Sequence, residues 1–338
     1  MKILGIETSC DETAVAVVEN GKKVLSFGVC SSARQHVKTG GIIPETAARR
    51  QTESIIPVLE KVLSPTNNTS IDAISVTVGP GLIGSLLVGV ETAKTLALVW
   101  GKPIIPVNHL IAHIYANFIE HRTNNKVHSP EFPLIALVVS GGHTDFVLME
   151  NHGDIKYLGG TRDDAAGEAF DKTARLLGLP YPGGPAISTA AEKFEIRKPK
   201  SKLNLFPRPM IDSDNLDMSF SGLKTAVLNF VKKQSSNLTI EQLSAEIQEA
   251  IVDTLVAKSL KAVEQHKPKS FLLAGGVSAN KRLREKITQA LKGKTKVFIP
   301  EPKYTTDNAA MIASAAYYNY QPVPWQKITA NPSLSIEE

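Results

Sequence analysis

Two histidines stand four residues apart in the apolar stretch NHLIAHIYAN, residues 108–117: His109 and His113. In a helix, positions i and i+4 stack on one face, so both imidazoles can reach one metal ion. The same spacing in the motif H-E-x-x-H carries a glutamate that acts as general base for a metal-activated water. Here Leu110 follows His109, so the ligand spacing is present and the base is missing. The pair alone leaves two readings open, a metal site short of its third ligand and two histidines that bind nothing.

A second chemical signal is glycine. Four glycine-bearing turns follow expected strands: VGPGLIGSLLVG (78–89), VVSGGHT (138–144), YPGGP (181–185) and LLAGGVSAN (272–280). Glycine lets backbone N–H groups approach an anion, and a helix N-terminus adds a favourable dipole. None of the four matches G-x-x-x-x-G-K-[ST] or a full G-x-G-x-x-G with its later acidic residue, which argues against P-loop and Rossmann enzymes. A cleft gripping phosphates with glycine hairpins fits the set better.

These residues need a scaffold, and the chain repeats one. KILGIETSCDETAVAVVENG (2–21) and LIALVVSGGHTDFVLMENHG (134–153) each read as strand, polar tip, strand and Asn-Gly or His-Gly turn. A spacing of about 130 residues is far longer than the ~20–50-residue period of a solenoid, so it indicates a duplicated domain. Helical patterns and short buried strands such as IDAISVTVG and KSFLLAGG follow each hairpin, which predicts α/β lobes. A chain of 338 residues is expected to hold two such domains.

The composition is ordinary and globular, with 42% hydrophobic and 21% charged residues. No unbroken apolar run approaches the ~20 residues of a membrane helix, and the N-terminus lacks a signal-peptide pattern. Two cysteines, Cys10 and Cys30, fit a reducing compartment rather than a disulfide scaffold. The net charge of +5 is compatible with a nucleic-acid partner, although the lysines are scattered.

Ten segments in order resemble the TsaD family: ETSCDETAVAVV, GGIIPETAAR, GPGLIGSLLVG, NHLIAH, VVSGGHT, DDAAGEAFDK, YPGGP, SFSGLKTAV, AGGVSAN and TDNAAMIA. The family was once called O-sialoglycoprotein endopeptidase, and the likeness runs from Lys2 to about Tyr318. It implies an actin/sugar kinase/Hsp70-type fold: two related actin-like (ribonuclease H-like) lobes with a nucleotide cleft between them. The expected division is 1–120 plus 305–325, then 121–304, with 326–338 a loosely ordered tail.

The activity implied is transfer of a threonylcarbamoyl group from threonylcarbamoyl-adenylate to N6 of the adenosine 3′ of the anticodon. The tRNAs concerned read codons beginning with A, and AMP is released. The resemblance supplies a third metal ligand, Asp307, beside His109 and His113, for one divalent metal, iron (Fe2+) favoured and zinc second. It assigns substrate binding to Val138, Val139, Ser140, Gly141, Gly142, Asp171, Gly184 and Asn280. Two positions depart from the family pattern: Ser188 where some relatives have an acidic residue, and Gln51 where histidine is usual. The partners implied are tRNA, a TsaB-type inactive paralogue and a TsaE-type ATPase, with no membrane, in the cytoplasm of a bacterium or in an organelle.

Asp11 and Glu12, at the tip of the first hairpin, are the candidate catalytic carboxylates, because the N6 amine must lose a proton. The basic loop 195–210, with Arg197, Lys198, Lys200, Lys202 and Arg208, is the candidate RNA contact. Two other functions stay open, a metallopeptidase and a non-catalytic nucleotide-binding partner. The first needs a water-activating carboxylate beside the histidines, and the second has no use for them.

Overall fold

The computed structural model describes residues 1–36, 41–64, 71–120, 122–123, 126–127, 129–197, 204–233 and 238–337. The chain forms two compact units, residues 1–130, 150–155 and 300–338 in the first and 131–149 and 156–299 in the second. Lys198, Lys200 and Lys202 of the basic loop lie outside the described residues.

Unit 1 starts with the expected hairpin, β1 (Lys2–Glu7) and β2 (Glu12–Glu19), followed by β3 (Lys23–Ser31). The β2–β3 turn has positive φ at Asn20 (52°) and Gly21 (67°), the conformation that Asn-Gly adopts most easily. Next come α1 (Ala33–His36), α2 (Pro44–Leu63), β4 (Ala73–Gly79), α3 (Ile83–Trp100), β5 (Ile104–Asn108) and α4 (His109–Tyr115). Two short strands, β6 (Arg122–Thr123) and β7 (Lys126–Val127), pair with each other.

The second hairpin opens the rest of the chain as β8 (Leu134–Val139) and β9 (Thr144–Asn151), continued by β10 (Asp154–Gly160). The helices α5 (Ala166–Leu176), α6 (Gly183–Arg197), α7 (Ser221–Lys232) and α8 (Ile240–His266) follow. The chain then runs through β11 (Ser270–Ala274), α9 (Lys281–Ala290), β12 (Lys296–Phe298) and α10 (Ala309–Tyr318), which returns to unit 1.

The two five-stranded sheets have the same plan, β3-β2-β1-β4-β5 and β10-β9-β8-β11-β12. In each, the first hairpin strand is central, antiparallel to its hairpin partner and parallel to the next strand: Leu4 sits opposite Val17 and Ile74, and Leu137 opposite Phe146 and Leu273. Central strands are covered on both faces, which is why KILGIE and LIALVV read as nearly continuous apolar runs. Each unit has its own core, around Leu4, Ile6, Val58, Ile74 and Val90 in one and around Leu137, Phe170, Ile251 and Phe271 in the other.

Two expectations differ from what is seen. The first division between units falls later, at 130, the second earlier, at 300, and the 150–155 turn counts with unit 1, where His152 stacks on Tyr115 and Tyr318. The tail is tied down rather than loose: Ile328 and Ile336 are buried, Asn331 N donates to Val78 O, and Ser335 O accepts from Asn108 Nδ2. Among the described residues one helix, the 18-residue α3, is long and apolar enough by length and composition to cross a membrane. Glu91 and Lys94 interrupt its sequence without making it polar overall. It packs on β4 and α2, with Ile83, Leu87, Leu98 and Val99 exposed.

One close approach sets the position of α10. A Cβ on Gly5 of β1 would lie 2.2 Å from the carbonyl oxygen of Ala309, in the first turn of α10. Only glycine lets this helix lie so near the central strand. We expect Gly5→Ala to push α10 outward and destabilise the protein by about 1–3 kcal/mol, read as a lower urea midpoint. An unchanged midpoint would show that the α10 backbone yields freely.

Candidate metal centre and nucleotide-binding turns

Each element of unit 1 delivers its side chain by a local rule. β5 runs directly into α4 because Asn108 caps the helix, its Oδ1 accepting from Leu110 N (2.9 Å) and Ile111 N (3.3 Å). His109 is therefore the first residue of the helix and His113 lies one turn on, both buried. Asn308 caps α10 in the same way, accepting from Met311 N at 3.0 Å, which fixes Asp307 just ahead of the helix.

The three expected ligands converge. Asp307 Oδ1 is 3.5 Å from His109 Nε2 and 3.2 Å from His113 Nε2, and one ligand atom from each residue lies within 4.8 Å of the others. Ligands about 2.0–2.1 Å from a tetrahedral metal stand roughly 3.3 Å apart, so the spacing suits one ion. The electrostatics agree. Burial lowers the pKa of His113, whose Nδ1 is buried without a hydrogen-bond partner and whose Nε2 faces Asp307, so a neutral imidazole sits at the site. Burial pushes the Asp307 carboxyl up, but the two imidazoles outweigh it and hold it at about 2. For His109 burial acts downward, and the Glu7 and Asp307 carboxylates raise it to about 9. The residues fit a divalent cation.

Glu7, the last residue of β1, was not a sequence candidate. It is fully buried and receives Ser9 N at 2.5 Å, Thr77 Oγ1 at 2.5 Å and the His109 Nδ1 group at 3.0 Å. A charged residue ending an otherwise apolar central strand was the signal available.

The first hairpin tip carries Asp11 and Glu12, both partly exposed. Gln51 of α2 holds this tip: its buried Nε2 donates to Cys10 O (2.9 Å) and Glu12 O (3.0 Å), with Thr8 O at 3.4 Å. An amide with two hydrogens on one nitrogen suits neighbouring carbonyls, so this departure from the family pattern has a structural use. Burial raises the Glu12 carboxyl to about 10, helped by its hydrogen bond with Asp11 and by the Asp307 charge. Glu12 thus holds its proton at neutral pH, and it must lose that proton before it can act as a base.

In unit 2 the second tip is built for close approach. Ser140 N donates to His143 O (2.8 Å), so among the expected phosphate donors this N–H is spent on the turn itself, leaving those of Gly141 and Gly142. Both glycines have open space where a Cβ would stand, and neither has positive φ. Gly167, by contrast, admits no side chain: its Cβ would meet Ser140 O at 2.5 Å, and this contact seats the N-terminus of α5 against the tip.

Val138 and Val139 are buried in β8 and offer only backbone. Asp171 Oδ1 accepts from Gly183 N at 2.6 Å, so one carboxylate oxygen closes the start of α6 beside Gly184. Asn280 caps α9 through Leu283 N (3.0 Å) and donates to Gln248 Oε1 (2.9 Å), which commits its side chain to the protein. Arg208 of the basic loop is paired with Asp253 at 3.0 Å.

Residues 23–314 match the family model TsaD: tRNA N6-adenosine threonylcarbamoyltransferase. The chain is 48% identical to a protein of that name from Thermomicrobium roseum, over 94% of this chain and 92% of the relative. It is also 48% identical to one from Syntrophomonas wolfei (98% and 97%) and 47% identical to one from Bacillus cereus (99% and 96%). Among solved structures, HypF of T. kodakarensis aligns with TM-score 0.60 at 13% identity, over 94% of this chain and 47% of that one. Component A of the (R)-2-hydroxyglutaryl-CoA dehydratase of Acidaminococcus fermentans aligns at 0.53 and 17% identity, over 94% and 98%. At these identities the structures speak for the fold alone.

The raised Glu12 carboxyl has a consequence for stability. A group whose folded pKa lies above its unfolded value favours folding fully below the unfolded pKa, and the benefit is lost as pH rises towards about 10. We expect Glu12→Gln to gain stability over the parent between pH 5 and 9, the gain growing with pH. Urea midpoints of chelator-treated protein test this, and a pH-independent difference would contradict it.

Proposed function

This chain belongs to the TsaD family of tRNA N6-adenosine threonylcarbamoyltransferases, and from that premise we propose the reaction it performs. It transfers the threonylcarbamoyl group of threonylcarbamoyl-adenylate to N6 of the adenosine 3′ of the anticodon, in tRNAs that read codons beginning with A. The observation that carries this reading is the convergence of His109, His113 and Asp307 on one point, with burial lowering the pKa of the His113 ring.

The donor is a mixed carbamic–phosphoric anhydride. N6 attacks the carbamoyl carbon, the bond from that carbon to the bridging phosphate oxygen breaks, and AMP leaves with that oxygen and the electron pair. Such a transfer needs positioning and charge stabilisation more than a strong enzyme nucleophile. His109, His113 and Asp307 hold one divalent ion, iron(II) favoured and zinc the alternative, which when bound supplies Lewis-acid polarisation of a donor oxygen. The Gly141 and Gly142 N–H groups take the phosphate, and Asp171, with Gly184 beside it, takes the ribose. Asn280 acts by fixing the AGGVSAN turn against the nucleotide. The N6 proton goes to the Asp11–Glu12 pair once that pair has given up its own.

A metallopeptidase is less well supported. Among the described residues, the one carboxylate in contact with either histidine besides Asp307 is Glu7, and it faces Nδ1 of His109, away from the ligand atoms. The exposed apolar residues Ile83, Leu87 and Leu98 on one side of α3 suit a covering partner, for which we propose a TsaB-type paralogue, with a TsaE-type ATPase as a further component in a bacterial cytoplasm.

Two outcomes test the assignment. His109→Ala combined with His113→Ala should reduce metal from one ion per chain to none, with threonylcarbamoyladenosine lost from tRNA by nucleoside mass spectrometry. Metal retained at one per chain would refute the site. Gly141→Val should fold like the parent, because open space surrounds that position, yet weaken AMP binding at least about tenfold by calorimetry. Unchanged AMP affinity would move the phosphate site elsewhere.

A further inference from the structure

We propose that Glu7 is a positioning residue of the metal centre, fixing which nitrogen of His109 carries hydrogen and which faces the ion. The inference rests on the metal reading above. Glu7 has no solvent exposure, and its carboxylate is surrounded by donors from three elements: Ser9 N on Oε1, and Thr77 Oγ1 of β4 and His109 Nδ1 of α4 on Oε2. A carboxylate only accepts, so the ring nitrogen that faces it must bear the hydrogen. That assigns Nδ1–H to His109 and leaves Nε2, 3.5 Å from Asp307 Oδ1, as the atom with the lone pair. The opposite tautomer would aim N–H at the ligand point and leave a buried carboxylate oxygen against a ring lone pair. Carboxylates that receive the far N–H of a metal-bound histidine fix its ring and raise its basicity, and their loss typically weakens metal affinity about 10–100-fold.

The surroundings make a sharp substitution available. Ser9 N–H requires an acceptor at the Oε1 position. In Glu7→Gln the amide oxygen must therefore stay there, and the NH2 group is turned onto Thr77 and His109. It donates to Nδ1 and forces the hydrogen onto Nε2. The change is isosteric, so a purely structural role would alter stability without moving that hydrogen.

The test uses the full chain and cobalt(II) or zinc(II), with affinity measured by competition against a chromophoric chelator. The His109 tautomer is read from long-range 1H–15N spectra of the metal-free protein at alkaline pH, where the ring is neutral, and assigned with His109→Ala. Glu7→Gln is expected to bind the ion about 10–100-fold more weakly and to show hydrogen on Nε2 where the parent shows it on Nδ1. Parental affinity in Glu7→Gln, alongside complete loss in His113→Ala, would overturn the role of Glu7 and leave the metal site standing. A parent chain that takes up no stoichiometric ion would overturn both. If Glu7→Gln fails to melt cooperatively, Thr77→Val decides, because it keeps the carboxylate and removes the hydroxyl that steadies Oε2. A several-fold loss of affinity is expected there, and none would overturn the inference.

Discussion

Burying Glu7, His109 and His113, with Asp307 close beside them, is the demand that the first unit is organised to meet. Charged and polar groups removed from water are tolerated only with partners in place. Here the partners come from separate parts of the chain: Glu7 ends β1, Thr77 stands on β4, the histidines begin α4, and Asp307 precedes α10. Two asparagine caps and one glycine contact set these elements with short-range precision, Asn108 and Asn308 at the helix starts and Gly5 beneath α10. The sheet supplies the frame, and the polar cluster decides where its surrounding helices must begin.

The same strand order serves two different chemistries. In the first unit the tip between the leading strands holds carboxylates and is steadied from outside by the Gln51 amide. In the second unit the corresponding tip holds glycines, and the start of α5 is pressed against it through Gly167. One copy gathers carboxylates beside a candidate cation site, while the other presents the N–H groups of the proposed anion turn. A duplicated fold can therefore carry different side-chain chemistry at equivalent tips without either copy changing its topology.

Much of this was legible in the residues. The alternation and turn chemistry of 2–21 and 134–153 marked both hairpins, and Asn-Gly at 20–21 took the positive-φ turn its composition predicts. His109 and His113 declared themselves by spacing, whereas Asp307, about 200 residues away, was supplied by family resemblance. Glu7 escaped notice because its partners on β4 and α4 become neighbours only when the sheet forms. Ser140 and Asn280 show a different limit. Motif position marked them as ligand contacts, but their hydrogen bonds inside the protein depend on local backbone geometry that composition does not encode. The tail looked loose because it is polar and proline-bearing, yet Ile328 and Ile336 find places in the packed interior of unit 1.

The first unit is discontinuous, its two main parts separated by nearly the whole of the second. During synthesis, the strands and both histidines emerge first, and then all of residues 131–299 must leave the ribosome before Asp307 exists. Domains tend to fold as they appear, so the second unit is complete while the first still lacks α10, the helix that lies across β1. The three proposed ligands therefore come together only after residues 131–299 have been made, so an ion that arrived before then would find two imidazoles and no carboxylate.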